Sequence, residues 1–221
     1  MEEIKPSADA VENDDNYARY FRDLLAHFAA TKGYKFEFKV FPIARLLASF
    51  LKGEVDFKCP DNQDWSPDLK KGKKISYSDT LEVAVEGTMV KPENASLGLD
   101  KFHLLGSPIG FTPVPYEELI RSGKVVSKGN ASISGLMKQA IAGRIDGAYY
   151  NVNSAKEVLE KIGMTGQLVF SHKLPRTRVS YSVSTIRYAD VIEEFNRFMK
   201  EHAALVAELK HKNKLKEPPG L

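Results

Sequence analysis

The chain has 221 residues, of which 43% are hydrophobic and 28% are charged, and its formal net charge is +3. This length and hydrophobic content allow one large domain or two small ones that fold without disulfide bonds. The lysine-rich runs at residues 70–74 and 210–216 contain none of the interleaved aromatic residues of nucleic-acid modules. We therefore predict solvated surface at both runs and no nucleic-acid partner.

Neither cysteine pairing nor a targeting segment identifies the compartment. The single cysteine, Cys59, excludes an intrachain disulfide and has the character of a small, partly buried residue. No stretch approaches the roughly 20 apolar residues of a membrane-spanning helix, and the first residues do not form a signal peptide. The sequence leaves two locations open, the cytosol or export with a leader that has been removed.

The first part of the chain predicts the order helix, strand, helix, strand. Apolar residues recur at helical spacing over 17–30, with Asp14 and Asp15 placed to cap the start and Gly33 the end. Residues 35–41 alternate charged and apolar side chains, which is typical of a half-buried strand. Pro42 then opens a second helix.

After a predicted loop over 59–74, extended segments at 75–78 and 83–90 lead into the second half of the chain. There the sequence predicts strands at 102–110 and 147–150, and helices at 116–121, 133–142 and 154–162. An extended segment at 179–184 leads to a helix over 188–202, and the Lys-rich and Pro-Pro-Gly tail is expected to fray.

A corner of the form Gly-x-Val/Ile-Asp occurs twice, at residues 53–56 and 143–146, each time between a helix and an extended run. Glycine can adopt the left-handed conformation that ends a helix, and the aspartate can accept hydrogen bonds from nearby backbone amides. The repetition predicts two α/β lobes, and clefts between lobes commonly bind small ligands.

Taken in order, these features resemble the bacterial extracellular solute-binding proteins of the polar amino acid type (family 3), over about residues 17–199. The corner at 53–56 and the segment 77–81 look like the family's first Gly-x-Val-Asp and its Phe-Ser-x-Pro-Tyr-like strand, and 143–151 looks like its second corner. The resemblance implies an α/β, two-lobed, type II periplasmic-binding-protein-like fold. Lobe 1 would hold residues 1–86 and 178–221, and lobe 2 residues 87–177.

The resemblance also implies a function. The protein would capture a ligand in the cleft between its lobes by hinge closure, in the periplasm, and deliver it to an ABC-transporter permease, as a monomer without a cofactor. Lys71 or a neighbour aligns with the arginine that grips the ligand's α-carboxylate in this family, and Asn151 aligns with the acidic residue that pairs with the ligand's ammonium. Lysine lacks the bidentate fork of arginine. We therefore expect a small polar or anionic ligand rather than an ordinary α-amino acid.

The candidate ligand-binding residues lie near helix starts, in the long loop or at the ends of strands. Arg45 lies in a first helical turn, where a ligand carboxylate or a salt bridge to Asp56 or Asp61 would explain its cation. Tyr17, Phe111 and Tyr149 have an alternative role in packing, Trp65 one in anchoring the loop, and an ordinary strand-to-helix turn would also explain Thr112. The full set is Tyr17, Arg45, Asn62, Trp65, Lys71, Tyr77, Phe111, Thr112, Tyr149 and Asn151.

Two other functions stay open. The five histidines lack metal-ligand spacing, and neither a nucleophile elbow nor a phosphate-binding glycine loop is present, so we expect no catalysis and no metal. A dehydratase-like enzyme acting on a small carboxylic acid would need Glu37, Asp61 or Glu86 with a raised pKa. A sensory ligand-binding module is the other alternative.

Overall fold

The computed structural model of the protein describes residues 15–216, and the chain divides into two compact units. Unit 1 holds residues 15–82 and 180–216, and unit 2 holds residues 83–179. The lobe boundaries predicted from the sequence lie at 86–87 and 177–178. One predicted helix cap, Asp14, and the Pro-Pro-Gly end of the tail lie outside the described residues.

The first two helices begin and end where the sequence predicts. Helix α1 (Asn16–Lys32) begins at Asp15, whose carboxylate accepts a hydrogen bond from the Ala18 amide, and ends at Gly33 with φ of 74°. Helix α2 (Ile43–Lys52) ends at Gly53 with φ of 75°. Gly143 in the second corner also has a positive φ, 68°. Both corners therefore use glycine for the left-handed turn that other residues adopt only at a cost.

The strand predicted for residues 35–41 does not form, and this prediction is wrong. The segment between α1 and α2 is neither helix nor strand. A strand needs a neighbour that takes up its backbone hydrogen bonds, and within residues 15–216 no strand pairs with this segment. Two of its apolar side chains are consequently exposed, Phe38 to 44% and Val40 to 48%.

Unit 1 has a small antiparallel sheet with β8 (Thr177–Thr185) between two strands. On one side β1 (Phe57–Asp61) places Lys58 opposite Ser184, and on the other side β2 (Ser76–Tyr77) places Tyr77 opposite the same Ser184. The predicted loop over 59–74 is thus partly wrong, since it contains the end of β1 and the short helix α3 (Pro67–Lys70).

The end of the chain supports this unit with two helices, α7 (Ala189–Glu201) and α8 (Ala203–Lys212). The Phe28 ring of α1 packs against the Phe195 and Phe198 rings at centroid distances of 5.1 and 5.5 Å. The Lys212 ammonium lies 2.9 Å from the Asp23 carboxylate on α1. The lysine-rich tail is therefore a docked helix as far as Lys212, and the prediction that it frays is wrong there.

The sheet of unit 2 has five strands: β3 (Glu82–Val90), β4 (Leu104–Pro108), β5 (Val126–Asn130), β6 (Gly147–Asn151) and β7 (Val169–Phe170). Their order is β7-β3-β6-β4-β5, and the sheet is mixed, because β3 pairs antiparallel with β6 and β7 whereas β4 runs parallel to both β6 and β5. The sequence analysis missed β5 and β7.

Helices cover this sheet, and a hydrophobic cluster lies on each face. Helices α5 (Ile133–Ile141) and α6 (Val152–Lys161) pack on one face with Val85 and Met89 of β3. The short α4 (Glu117–Arg121), preceded by a 3-10 turn at Val114–Tyr116, belongs to the other face. The helix predicted over 116–121 is therefore confirmed in position, but its first residue belongs to the 3-10 turn.

The aspartates of the two corners act differently. Asp146 accepts hydrogen bonds of 2.8 Å from the His103 and Leu104 amides, which ties the second corner to the start of β4. Asp56 in the first corner instead forms an ion pair with the Arg187 guanidinium, which also donates to the Gly53 carbonyl. The prediction of backbone capping is confirmed at Asp146 only.

Candidate functional site

A buried ionic cluster in unit 1 surrounds the carboxylate of Asp61, at the end of β1. The ammonium groups of Lys58 and Lys70 lie 2.8 and 2.9 Å from the same oxygen, Oδ1, of this carboxylate. Ser184 on β8 donates its hydroxyl to the other oxygen, Oδ2, at 2.6 Å. Asp61 is fully buried, and Lys58 and Lys70 are 5% and 7% exposed. We call these four residues the Asp61 cluster.

Local backbone geometry brings the two lysines to one carboxylate. Residues three apart on a regular strand face opposite sides of the sheet, but the register of β1 against β8 shifts between Lys58 and Asp61. Lys70 reaches the carboxylate from the last residue of α3, a helix that follows Ser66 in the left-handed conformation and starts with Pro67. The bulge and the short helix therefore create the cluster.

The cluster holds two ammonium groups for one carboxylate. Burial alone would raise the pKa of Asp61, but the charge of Lys58 and the hydrogen bonds from Lys58 and Ser184 bring it below its ordinary value. Burial lowers the pKa of Lys58, and the Asp61 charge offsets this only in part. Asp61 is thus held ionised, and with both lysines protonated the cluster has a positive surplus of one charge.

Aromatic rings flank the two lysines. The Lys58 ammonium lies 5.2 Å from the Trp65 ring centroid, and the Lys70 ammonium lies 5.4 Å from that of Tyr77. Tyr181 on β8 packs its ring at 5.7 Å from Trp65 and at 5.7 Å from Tyr17 of α1. Cations are stabilised over aromatic faces, so these rings suit the charge of the cluster.

The structure brings some of the candidate residues of the first lobe together and leaves others apart. Tyr17, Trp65 and Tyr77 belong to this neighbourhood, and Asn62 joins it because its carbonyl accepts from Lys70 at 2.6 Å and its side chain donates to the Ser180 carbonyl at 2.9 Å. Lys71 is exposed beyond the end of α3. The buried neighbour Lys70 holds the position in the cluster, so its assignment to a solvated run was wrong.

Arg45 lies outside the cluster. Its side chain is exposed, and the guanidinium lies over the Phe41 ring at 5.2 Å from the centroid. The salt bridges considered for it at Asp56 and Asp61 are occupied by other cations, Arg187 at Asp56 and the two lysines at Asp61. A ring contact therefore accounts for the position of the Arg45 cation in this structure.

In unit 2, the candidate residues Phe111 and Tyr149 lie near Tyr150. The Phe111 ring lies 6.1 Å from that of Tyr149 and 5.4 Å from that of Tyr150. Tyr149 is fully buried in one hydrophobic cluster, and Tyr150 is half-buried against the cluster on the other face of the sheet. Thr112 is half-buried in the turn before α4, which starts only at Glu117.

Asn151 ends β6 and caps helix α6. Its side-chain oxygen accepts hydrogen bonds from the Asn153 and Ser154 amides at 2.9 and 3.0 Å, and the residue is 3% exposed. An asparagine at this position satisfies the first free amides of the helix. Asn151, a candidate ligand-binding residue, therefore has a structural role as the cap of α6.

Glu86 on β3 is a buried acid with an unusual environment. Its carboxylate is fully buried, and neither oxygen has a hydrogen-bond partner within the described part of the chain. Burial raises the pKa of Glu86 to about 8, and the nearby Tyr149 hydroxyl limits the rise without reaching hydrogen-bonding geometry. The side chain is therefore mostly a neutral acid at pH 7.

Sequence reasoning missed Lys58, Lys70, Ser184 and Tyr181 as members of this neighbourhood. Lys58 lies three residues before Asp61, a spacing that points away from it on a regular strand. Ser184 and Tyr181 come from a strand more than one hundred residues later in the chain. The one usable signal was the position of Lys70, beside the residue aligned with the family's arginine.

The described residues contain neither a metal site nor a reactive cysteine. In residues 15–216 no three His, Cys, Asp or Glu side chains come close enough to hold a metal ion. Burial raises the pKa of the Cys59 thiol to about 12, so it is not a nucleophile at neutral pH. None of the helices in this part of the chain combines the length and the hydropathy that crossing a membrane requires.

Neither a protein-family model nor a curated protein sequence matches the chain, but solved structures do. A mutant of ArgBP from T. maritima superposes with a TM-score of 0.69 at 15% identity, covering 89% of this chain and 85% of its own. A periplasmic His/Glu/Gln/Arg/opine family-binding protein from Silicibacter pomeroyi, in complex with lysine, superposes with a TM-score of 0.67 at 11% identity. The match covers 91% of this chain and 89% of that protein.

A third similar structure is the ancestral amino acid-binding protein AncCDT-1, described as a precursor of cyclohexadienyl dehydratase. It gives a TM-score of 0.64 at 15% identity and covers 87% of this chain and 84% of its own. At these identities the similarity establishes the fold. The predicted class, an α/β fold of the two-lobed periplasmic-binding-protein type, is confirmed.

Proposed function

We propose that this protein is a solute-binding protein that captures a small anionic solute and delivers it to the permease of a membrane transporter. The fold shared with amino acid-binding proteins supports the general class. The Asp61 cluster supports the charge of the ligand. In this proposal the protein works outside the cytoplasmic membrane, as the periplasmic description of one similar structure suggests.

The positive surplus of the Asp61 cluster is the observation that carries the proposal. An uncompensated buried charge is costly, and a bound anion would remove that cost. Lys58 donates to Asp61 and to the Pro60 carbonyl, and Lys70 donates to Asp61 and to the Asn62 carbonyl. An ammonium group has three donors, so within the described residues each lysine keeps one N–H beyond these hydrogen bonds. Two such donors suit a carboxylate or a similar oxyanion.

The same residues disfavour an ordinary α-amino acid as the ligand. Lys70 and Lys58 present two point charges, not the planar fork with which arginine holds a carboxylate in two parallel hydrogen bonds. In unit 2, Asn151 has no charge to pair with an ammonium, and Glu86 is mostly neutral at pH 7. The rings of Trp65 and Tyr77 beside the lysines suit an anion with an apolar or aromatic body.

A ligand screen with two lysine variants tests the proposal. Purified protein is screened by thermal shift against amino acids, dicarboxylates and aromatic acids, and hits are titrated by calorimetry. We expect a non-amino-acid anion to raise the melting temperature. Lys70→Met should weaken its binding by at least about tenfold, the loss of one charged hydrogen bond. Lys71→Met removes the same charge from the exposed neighbour and should leave binding unchanged.

Lys70→Met should fold, because Asp61 keeps Lys58, Ser184 and the Asn62 amide as partners. A loss of binding in this variant can therefore be assigned to the missing ammonium once its melting temperature has been compared with that of wild type. Strong binding of ordinary amino acids, or equal affinities of the Lys70→Met and Lys71→Met variants, would contradict the proposal.

An enzyme acting on a small carboxylic acid is a second candidate, and Glu86 is the observation that favours it. Among the three acids that sequence analysis considered, Glu86 has a raised pKa, whereas the pKa of Asp61 is lowered and the side chain of Glu37 is exposed. A buried acid that is protonated near neutral pH can serve as a general acid. Conversion of a bound acid, followed by NMR and lost in Glu86→Gln, would establish this function. Binding without conversion would leave the transport function.

A further inference from the structure

The segment between α1 and α2 has two chemically distinct sides. Lys35, Glu37 and Lys39 alternate with the apolar residues 36, 38 and 40. The Lys39 ammonium lies 3.4 Å from the Glu37 carboxylate, which puts residues two apart on the same side, as in extended backbone. On the apolar side Phe36 is half-buried, but Phe38 and Val40 are 44% and 48% exposed. Exposed alternating segments of this kind readily pair with another strand.

We propose that residues 35–41 pair antiparallel with the same residues of a second copy of this chain and so form a two-fold symmetric dimer. The pairing is centred on Phe38, which lies opposite Phe38 of the second copy. Phe36 then lies opposite Val40, and Glu37 lies opposite Lys39, each twice by symmetry. Phe36, Phe38 and Val40 of both copies fall on one face, and both ion pairs fall on the other face, where Lys35 lies opposite Phe41 at each end.

The charges of the segment select this register. Centring the pair on Glu37 places Glu37 opposite itself and Lys35 opposite Lys39, so every charged pair is repulsive. Centring the pair on Lys39 places Lys39 opposite Lys39 of the second copy, which is also repulsive. A shift by a single residue places Phe38 opposite a charged side chain and mixes the two faces. Centring the pair on Phe36 pairs Lys35 with Glu37 but places residues 38–41 opposite residues outside the segment. The register centred on Phe38 pairs the whole segment with itself and forms two ion pairs and three apolar pairs, and this self-complementarity points to a second copy as the partner.

The rest of unit 1 holds this segment at the surface. The Phe36 ring lies 5.8 Å from Phe57 at the start of β1 and 6.2 Å from Phe28 of α1, and it stacks on the Tyr34 ring at 6.0 Å. Phe36 therefore packs against the core within a single copy of the chain and holds one end of the segment in place. A seven-residue pair buries little surface, so the dimer belongs to the weak, concentration-dependent class. It departs from the monomer that the family resemblance implies.

Charge exchange at two positions tests the pairing. Sedimentation velocity from roughly 10 to 500 µM protein should show a monomer–dimer equilibrium for the wild type. Glu37→Lys and Lys39→Glu each make both charged pairs repulsive and should weaken association by about tenfold. The double variant Glu37→Lys/Lys39→Glu restores opposite charges and should dimerise like the wild type. Glu118→Lys, at an exposed ion pair of unit 2, is the matched control and should have no effect.

Cysteine cross-linking tests the register itself. The Phe38 Cα atoms of the two copies would lie about 4.5–5.5 Å apart, within the range of a disulfide, whereas the Val40 Cα atoms would lie more than about 13 Å apart. Phe38→Cys should therefore form disulfide-linked dimers under mild oxidation, and Val40→Cys should not. A monomer at every concentration, no difference between Glu37→Lys and wild type, or equal cross-linking of both cysteine variants would overturn the inference.

Discussion

Replacing Glu86 by glutamine should make the stability of the protein less dependent on pH. The change keeps the size of the side chain and removes the ionisable group from a site that is fully buried and lacks a hydrogen-bond partner in the described residues. In the folded protein the pKa of Glu86 is about 8, against an ordinary value of 4.5. The folded state therefore favours the protonated acid.

The sign and size of the effect follow from these two pKa values. Below pH 4.5 both states are protonated, and the carboxyl group contributes its full stability. Between pH 4.5 and 8 the unfolded chain releases the proton and the folded chain keeps it, so the free energy of unfolding falls as pH rises. The slope is about 1.4 kcal/mol per pH unit, which makes roughly 4 kcal/mol between pH 5 and pH 8.

Urea unfolding at pH 5, 6, 7 and 8 measures this difference. We expect Glu86→Gln and wild type to have similar stability at pH 5 and the variant to be more stable by several kcal/mol at pH 8. Glu93→Gln, an exposed glutamate of the same unit, is the control and should track wild type at every pH. A constant difference between Glu86→Gln and wild type from pH 5 to pH 8 would show that Glu86 is ionised in the folded state, and the reasoning from burial would be wrong.

Two further substitutions probe the same physical arguments. Asp61→Asn leaves two buried ammonium groups without a carboxylate and should cost about 3–5 kcal/mol of stability in urea unfolding. Adding Lys70→Met to this variant should restore part of the loss. A loss below about 1 kcal/mol would mean that water reaches the cluster. Asn151→Ala removes the cap of α6 and should cost about 1 kcal/mol of stability. Asn151→Asp keeps an oxygen acceptor and should retain the stability. Equal losses in the two variants, measured by thermal denaturation, would argue against the capping role.

The outcome at residues 35–41 shows a limit of prediction from sequence. Alternation of charged and apolar residues predicted a strand, and in the structure the alternation is present without a neighbouring strand. Side-chain pattern is a local property, but a strand also needs hydrogen bonds from a second segment. The same limit explains why β5 and β7 were missed, because their few residues carry almost no pattern of their own.

The candidate site illustrates the same distinction in side chains. Tyr17, Asn62, Trp65 and Tyr77 were selected from predicted helix, loop and strand positions and lie around the Asp61 cluster. Choosing between Lys70 and Lys71 was beyond the sequence, since adjacent residues in a lysine run look alike. Their side chains separate only when α3 forms and directs one of them toward Asp61.

The sequence by itself determined the local features of this protein: the caps of α1, the glycine ends of both corners, the helical stripes and the α/β class. These depend on backbone sterics and on residues within one or two turns of each other. Only the tertiary structure decided which charges are buried together, because β8 returns Ser184 to β1 from the far end of the chain and a bulge turns Lys58 toward Asp61. Burial then sets the electrostatics, since the energy of a charge depends on everything that displaces water around it.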